Sequence, residues 1–168
     1  MLSRTELDAT LAHLDALYAS TIATDPRSSQ YFCKLAVIEF CGWIEEAQDL
    51  LIQESALRGA IWDPILKEKV KKNYGFHFTD KFAPLLAYGM GNKQLQNVIA
   101  TVTSRGGSKL DSAISTINSF VTKRNEAAHT HSRPGGKTFY QPSLIHSYLD
   151  TVADGLSELE SELIAIGW

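Results

Sequence analysis

Apolar residues recur every three or four positions along almost the whole chain, and this spacing restricts the chain to helices. A helix with about 3.6 residues per turn places such residues on one face, whereas a half-buried strand needs strict alternation. No segment alternates convincingly. The helical spacing is clear near the C-terminus, in Leu144, Tyr148, Val152, Leu156, Leu159 and Leu163. The sequence therefore predicts an all-α fold.

Helix caps and breakers predict where the longest helices lie. They are expected near Ser29–Leu57, Asp111–Thr130 and Ser143–Ile166. A first main helix is predicted by the apolar stripe Leu7, Leu11, Leu14 and Leu17. Residues 59–107 contain a helix start at Asp63-Pro64 and several glycines that end helices. We therefore expect additional short helices between the second main helix, Ser29–Leu57, and the third, Asp111–Thr130. In the Asp111 helix, the side chains expected to face inward are Ile114, Ile117, Phe120 and Val121.

Size and composition point to one folded domain over residues 1–168. Hydrophobic residues make up 44% and charged residues 21% of the 168 residues, which is ordinary for a globular protein. The formal net charge of −3 argues against a protein that coats nucleic acid, so RNA contact requires a local basic patch. Charged residues occur throughout residues 1–15. This pattern argues against a signal peptide and a membrane span, and it predicts a cytoplasmic location.

The metal-ligating residue types are scattered, so we expect no cofactor and no metal. Cys33 and Cys41 lie eight positions apart in one apolar helical stretch, a spacing that suits reduced core thiols rather than a metal motif or a disulfide. His13, His77 and His146 lack the spacing of zinc ligands.

The candidate catalytic motif is the segment Arg124-Asn125-Glu126-Ala127-Ala128-His129. With 6 Arg and 5 His in 168 residues, an arginine followed by a histidine at this one spacing is expected about 0.2 times by chance. Requiring one of the 5 Asn directly after the arginine lowers the expectation to about 0.005. The asparagine therefore makes the motif specific.

This motif, near the end of a capped helix and before another long helix, resembles the signature of the HEPN superfamily. The resemblance covers most of the chain and is closest to stand-alone HEPN ribonuclease domains, such as the RiboL-PSP and MAE groups. It implies a HEPN-like helical bundle, a homodimer in which the motifs of two protomers meet in one cleft, and a metal-independent endoribonuclease. It also implies a toxin or phage-defence effector, with an antitoxin or another defence protein as a partner.

The residue types suit cleavage by the 2′-hydroxyl of RNA. His129 can transfer protons near neutral pH, and Arg124 can hold the phosphate and stabilise negative charge. Asn125 and His129 are four apart and share a helix face, so the amide can orient the imidazole or contact the phosphate. Arg124 and His129, however, lie about 140° apart around an ideal helix. His131 aligns better with Arg124 and is the rival catalytic histidine.

Other charged residues are expected to support the site. Glu39 lies within the apolar run from Leu35 to Trp43, which predicts either a buried salt bridge or a carboxylate that orients Arg124 or His129. The candidate RNA-binding residues near the motif are Lys123, Arg133 and Lys137. The lysine-rich run Lys67–Lys72 is either a solvated helix face or a guide for the RNA backbone.

A second interpretation is a non-catalytic HEPN domain that serves in dimerisation or in nucleotide or RNA binding. HEPN toxins that are silenced by adenylylation resemble Arg-x4-His-x-Tyr, and His131 takes the place of that tyrosine here. We therefore do not expect this form of regulation.

Overall fold

The computed structural model describes residues 3–61, 63–129 and 138–168. Its helices are α1 (Thr5–Thr21), α2 (Pro26–Arg58), α3 (Pro64–Lys71), α4 (Ala83–Met90), α5 (Asn92–Thr103), α6 (Leu110–His129) and α7 (Pro142–Ala165), with a π-helical turn at Phe78–Phe82. Within these ranges the chain forms no strand. The predicted all-α fold is therefore confirmed, as are the short helices between α2 and α6.

Local sequence signals explain several helix boundaries. Asp63 caps α3, because its Oδ1 accepts a hydrogen bond of 2.7 Å from the backbone N–H of Leu66, and Pro64 occupies the first turn. Proline also opens α2, at Pro26, while Asp25 accepts a hydrogen bond of 3.1 Å from the backbone N–H of Ser28. Because of this cap, α2 begins three residues before the predicted start at Ser29.

The chain divides into two compact units. One comprises residues 3–43 and 119–150, and we call it the motif unit because it contains Arg124, Asn125 and His129. The other comprises residues 44–118 and 151–168, and we call it the short-helix unit. The helices α2, α6 and α7 each contribute residues to both units.

Aromatic rings of α2, α6 and α7 pack together in the motif unit. The Phe120 ring of α6 packs edge-on against Phe40 of α2, with 4.9 Å between ring centroids, and against Tyr148 of α7 at 5.1 Å. The start of α7 is held by Asp15 of α1, whose Oδ1 accepts a hydrogen bond of 3.0 Å from the Ser143 backbone N–H. These contacts hold three helices around the α6 segment that leads into the motif.

Side chains of α2 and α6 order the segment before α4 in the short-helix unit. Asn118 Oδ1 accepts a hydrogen bond of 2.8 Å from the backbone N–H of Phe78, and Glu45 Oε1 accepts one of 2.9 Å from that of Gly75. Burial, with the neighbouring charge of Glu45 as a second cause, raises the pKa of Asp49 to about 6. This unit therefore contains several carboxylate and amide contacts that periodicity alone does not reveal.

Both cysteines are free and buried, which confirms that they are reduced core residues. Burial raises the pKa of the Cys33 thiol to about 11, so the thiol stays protonated at neutral pH. Among the described helices, none has both the length and the apolar character needed to cross a membrane.

Candidate active site at the end of helix α6

The buried residues of α6 show where Arg124 lies relative to the inward face of this helix. Its buried positions follow a spacing of three and four residues: Leu110, Ala113, Ile117, Phe120 and Ala127. Position 124 falls within this series, four after Phe120 and three before Ala127. At about 100° per residue, Arg124 lies close to the centre of the buried face, and yet its side chain is exposed. A charged and accessible group thus occupies a position where the helix otherwise places core residues.

A small neighbour helps to leave Arg124 accessible. Ala128 lies one turn further along the same side of the helix and is exposed, and its single methyl group is too short to cover the guanidinium. One turn earlier, Phe120 is fixed between Phe40 and Tyr148. The backbone that carries Arg124 is therefore anchored, while its side chain is accessible.

Asn125 and His129 are also exposed, one turn apart on α6. Arg124 Nη1 donates a hydrogen bond to Asn125 Oδ1 over 3.5 Å, a distance at the limit for such a bond. The helix continues without interruption to His129, so it does not loosen there to bring His129 towards Arg124. The two side chains remain about 140° apart around the helix. One copy of the motif therefore presents Arg124 and His129 on different faces.

The structure contradicts the predicted burial of Glu39. This residue is exposed on α2 and forms no salt bridge with any described residue, so neither the buried ion pair nor a role in orienting Arg124 or His129 is observed. The reason is its place on the helix. Phe40 is fully buried, whereas Glu39, about 100° away, lies at the edge of the exposed face.

Of the three candidate RNA-binding residues near the motif, the structure describes Lys123, since Arg133 and Lys137 lie outside the described residues, as does His131. Its ammonium nitrogen lies 5.3 Å from the centroid of the Tyr140 ring, close enough for a cation–π contact. Tyr140 also packs against Phe120 at 5.9 Å and Tyr148 at 5.6 Å. Lys123 therefore carries its charge one residue before Arg124 with its side chain partly fixed.

The sequence patterns did not identify two aromatic residues whose rings lie near lysines of the motif unit. Phe139 and Tyr140 precede α7, and each ring has a lysine nearby, with Lys34 at 5.8 Å from Phe139 and Lys123 at 5.3 Å from Tyr140. The consecutive aromatic pair just before Pro142 was the available signal. These contacts place two positive charges in the motif unit in addition to Arg124.

A second charged cluster in the motif unit joins α1 to α7. Arg4 Nη2 lies 2.9 Å from Asp8 Oδ1 and 2.6 Å from Asp150 Oδ1, and His146 Nε2 lies 3.2 Å from Asp8 Oδ1. The hydrogen bond from Arg4 holds the pKa of Asp8 below its usual value. Because two carboxylates already engage this arginine, and would repel a phosphate, we interpret the cluster as a structural ion-pair network.

Comparisons with known proteins give no match, so a functional assignment depends on the motif. No protein-family model, no curated protein and no solved structure matches the chain. Within the described residues, no three His, Cys, Asp or Glu side chains are grouped so that they could hold a metal ion. The functional argument therefore depends on the chemistry of Arg124, Asn125 and His129 and on their positions on α6.

Proposed function

We propose that this protein is a metal-independent endoribonuclease in which Arg124, Asn125 and His129 form the catalytic site. The observation that supports the proposal best is the exposed arginine at a core-facing position of α6, beside Asn125 and followed by an exposed histidine. Sequences break local packing rules mainly at functional or strained sites. The biological role proposed with this activity is that of a toxin or phage-defence effector.

The reaction needs only groups that RNA, these side chains and solvent water supply. A base takes the proton of the 2′-hydroxyl, and the 2′-oxygen attacks the adjacent phosphorus. The bond from phosphorus to the 5′-oxygen breaks, and an acid donates a proton to that oxygen. His129 can serve as the base or the acid and a water molecule makes the other proton transfer, while Arg124 neutralises charge that develops on the phosphate. The products are a 2′,3′-cyclic phosphate and a 5′-hydroxyl.

A site composed of two copies follows from the separation of Arg124 and His129. Because they lie on different faces of one regular helix, a single motif does not readily bring both to one phosphate. In a two-fold homodimer with facing motifs, Arg124 of one copy and His129 of the second copy can act on the same phosphate, and symmetry generates two such sites. We propose this arrangement for the active protein.

Cleavage is expected to persist without divalent metal ions. Purified protein incubated with mixed RNA in excess EDTA should produce fragments with 2′,3′-cyclic phosphate or 3′-phosphate ends and 5′-hydroxyl ends. DNA lacks the 2′-hydroxyl and should remain intact, which provides the control for contaminating nucleases that cut both. Fragments with 5′-phosphate ends, or cleavage that stops in EDTA and returns with magnesium, would contradict the proposed mechanism.

Mixing two inactive variants tests the composite site. Arg124→Ala and His129→Ala chains co-expressed in equal amounts should form mixed dimers as about half of all dimers, each with one of its two sites intact. The expected activity is therefore about a quarter of the wild-type activity, while each variant alone stays inactive. If each protomer instead contained its own complete site, mixing would restore nothing.

A non-catalytic helical module is the second candidate, and the same separation of Arg124 and His129 favours it. A polar contact between copies, or the binding of a nucleotide or RNA without cleavage, does not require both side chains at one phosphate. Wild-type protein that binds RNA or self-associates through the motif, but cuts no RNA under any metal condition, would support this candidate.

A further inference from the structure

Helix α2 has an apolar stripe that the described part of the protomer leaves exposed. Tyr31, Leu35 and Ile38 are 45%, 41% and 39% exposed. Gly42 continues the series, and the space around its missing side chain contains no described atom within 4 Å. The intervals of four, three and four residues are those at which paired helices place their contact residues. We call Tyr31, Leu35, Ile38 and Gly42 the α2 stripe.

Opposite charges flank the α2 stripe in a pattern that favours a parallel partner helix over an antiparallel one. In heptad notation the stripe occupies positions a and d, which places Lys34 at g and Glu39 at e. In a parallel pair of helices, a g residue faces the e residue five positions further along the partner. Lys34 would thus face Glu39 of a second copy, and Glu39 would face the second Lys34. An antiparallel pair would bring like charges together.

Glu39 is well suited to such a contact. It is exposed and forms no ion pair with any described residue of its own chain. Lys34 is partly oriented, since its ammonium nitrogen lies 5.8 Å from the centroid of the Phe139 ring. Exposed ion pairs contribute little to affinity, but they discriminate between parallel and antiparallel arrangements of an apolar contact.

We propose that the α2 stripe binds the α2 stripe of a second copy of this chain, in parallel and about a two-fold axis. Leu35 and Ile38 then pack against their own counterparts, and Gly42 lets the two backbones approach closely. Phe40, on the opposite face of α2, contacts Phe120 of α6, so the α2 stripe points away from the motif helix. This interface therefore differs from the one that joins two motifs, and it does not depend on ribonuclease activity.

Leu35→Glu tests whether the α2 stripe carries the association. Two glutamates in the contact should weaken self-association by at least about 10²-fold, measured by sedimentation equilibrium at tens of micromolar protein. Ile65→Glu, at a residue of α3 that is 57% exposed, is the matched control and should leave the association unchanged. If motifs also pair, the wild-type mass exceeds that of a dimer and Leu35→Glu should reduce it to a dimer. An unchanged mass in Leu35→Glu overturns the proposal.

Charge exchange and a cysteine cross-link test the register. Glu39→Lys and Lys34→Glu should each weaken association, and the double variant should regain it. Leu35→Cys should form a disulfide between copies under mild oxidation, because a parallel pair places the two substituted residues opposite one another. The wild-type chain, whose cysteines are both buried, is the control and should not cross-link. A double variant that stays dissociated, or Leu35→Cys protein that does not cross-link, rules out the parallel register.

Discussion

Arg124→Ala and His129→Ala should each lower the rate of RNA cleavage by at least about 10²-fold, the scale of losing a transition-state charge partner or a positioned acid–base group. Both residues are exposed, so neither substitution removes a core contact, and the loss should appear without a change in thermal stability. The initial rate of fragment formation from one labelled RNA in EDTA is the measurement. Circular dichroism and mass in solution must match the wild-type values.

Two further variants make this result specific to the motif. Thr122→Ala changes another exposed residue of α6 and should retain full activity. His131→Ala should cost much less than His129→Ala, because Asn125 and His129 share a helix face one turn apart. If His129→Ala keeps full activity and His131→Ala is inactive, the catalytic histidine is instead His131, seven residues after Arg124.

The helices could be predicted from sequence because their signals are local. Proline at a first turn, capping aspartates and glycines at helix ends act within a few residues, so the long helices lie close to where the sequence places them. The π-helical turn and the contacts of Asn118 and Glu45 depend on residues distant in sequence. No local pattern indicates them.

The sequence predicted the inward face of α6 with a small rotational error about the helix axis. This error changes where Arg124 lies relative to the inward face. The sequence suggested Ile114 and Val121 as inward residues, but both are only partly buried, and Ala113 is fully buried instead. This rotation brings Arg124 close to the centre of the inward face. The motif residues could thus be identified from sequence, whereas the unusual position of the arginine required the structure.

Glu39 shows why burial could not be inferred from local apolarity. The stretch from Leu35 to Trp43 is apolar on more than one face of the helix, and only the Phe40 side is covered by described residues. Leu35 and Ile38 are exposed together with Glu39. An apolar run can serve a core on one side and a partner on the other, so its hydrophobicity does not determine which residues are buried.

Gly155→Ala should destabilise the protein, because α6 and α7 approach each other closely at this residue. A Cβ atom there would lie 2.5 Å from Ala113 Cβ, 2.9 Å from the Lys109 carbonyl oxygen and 3.1 Å from Leu110 Cα. Two of these neighbours are backbone atoms, so relief requires the helices to move apart. Overpacking of this kind costs about 1–3 kcal/mol. The expected result is a Tm lower by roughly 4–8 °C in calorimetry, for a loss of about 2 kcal/mol.

Gly42→Ala is the matched control when it is made in the Leu35→Glu background, in which the α2 stripe does not pair. Gly42 also lies within a long helix but has no described atom within 4 Å of the point that a Cβ would occupy. Alanine is favoured over glycine in a helix by about 0.8–1.0 kcal/mol, so the added substitution should raise the Tm above that of Leu35→Glu alone. The same helix preference acts at position 155, where it partly offsets the steric cost. Opposite signs for the two glycines would show that packing, rather than helix propensity, determines the effect at Gly155. A Tm for Gly155→Ala at or above the wild-type value would contradict the close approach of α6 and α7.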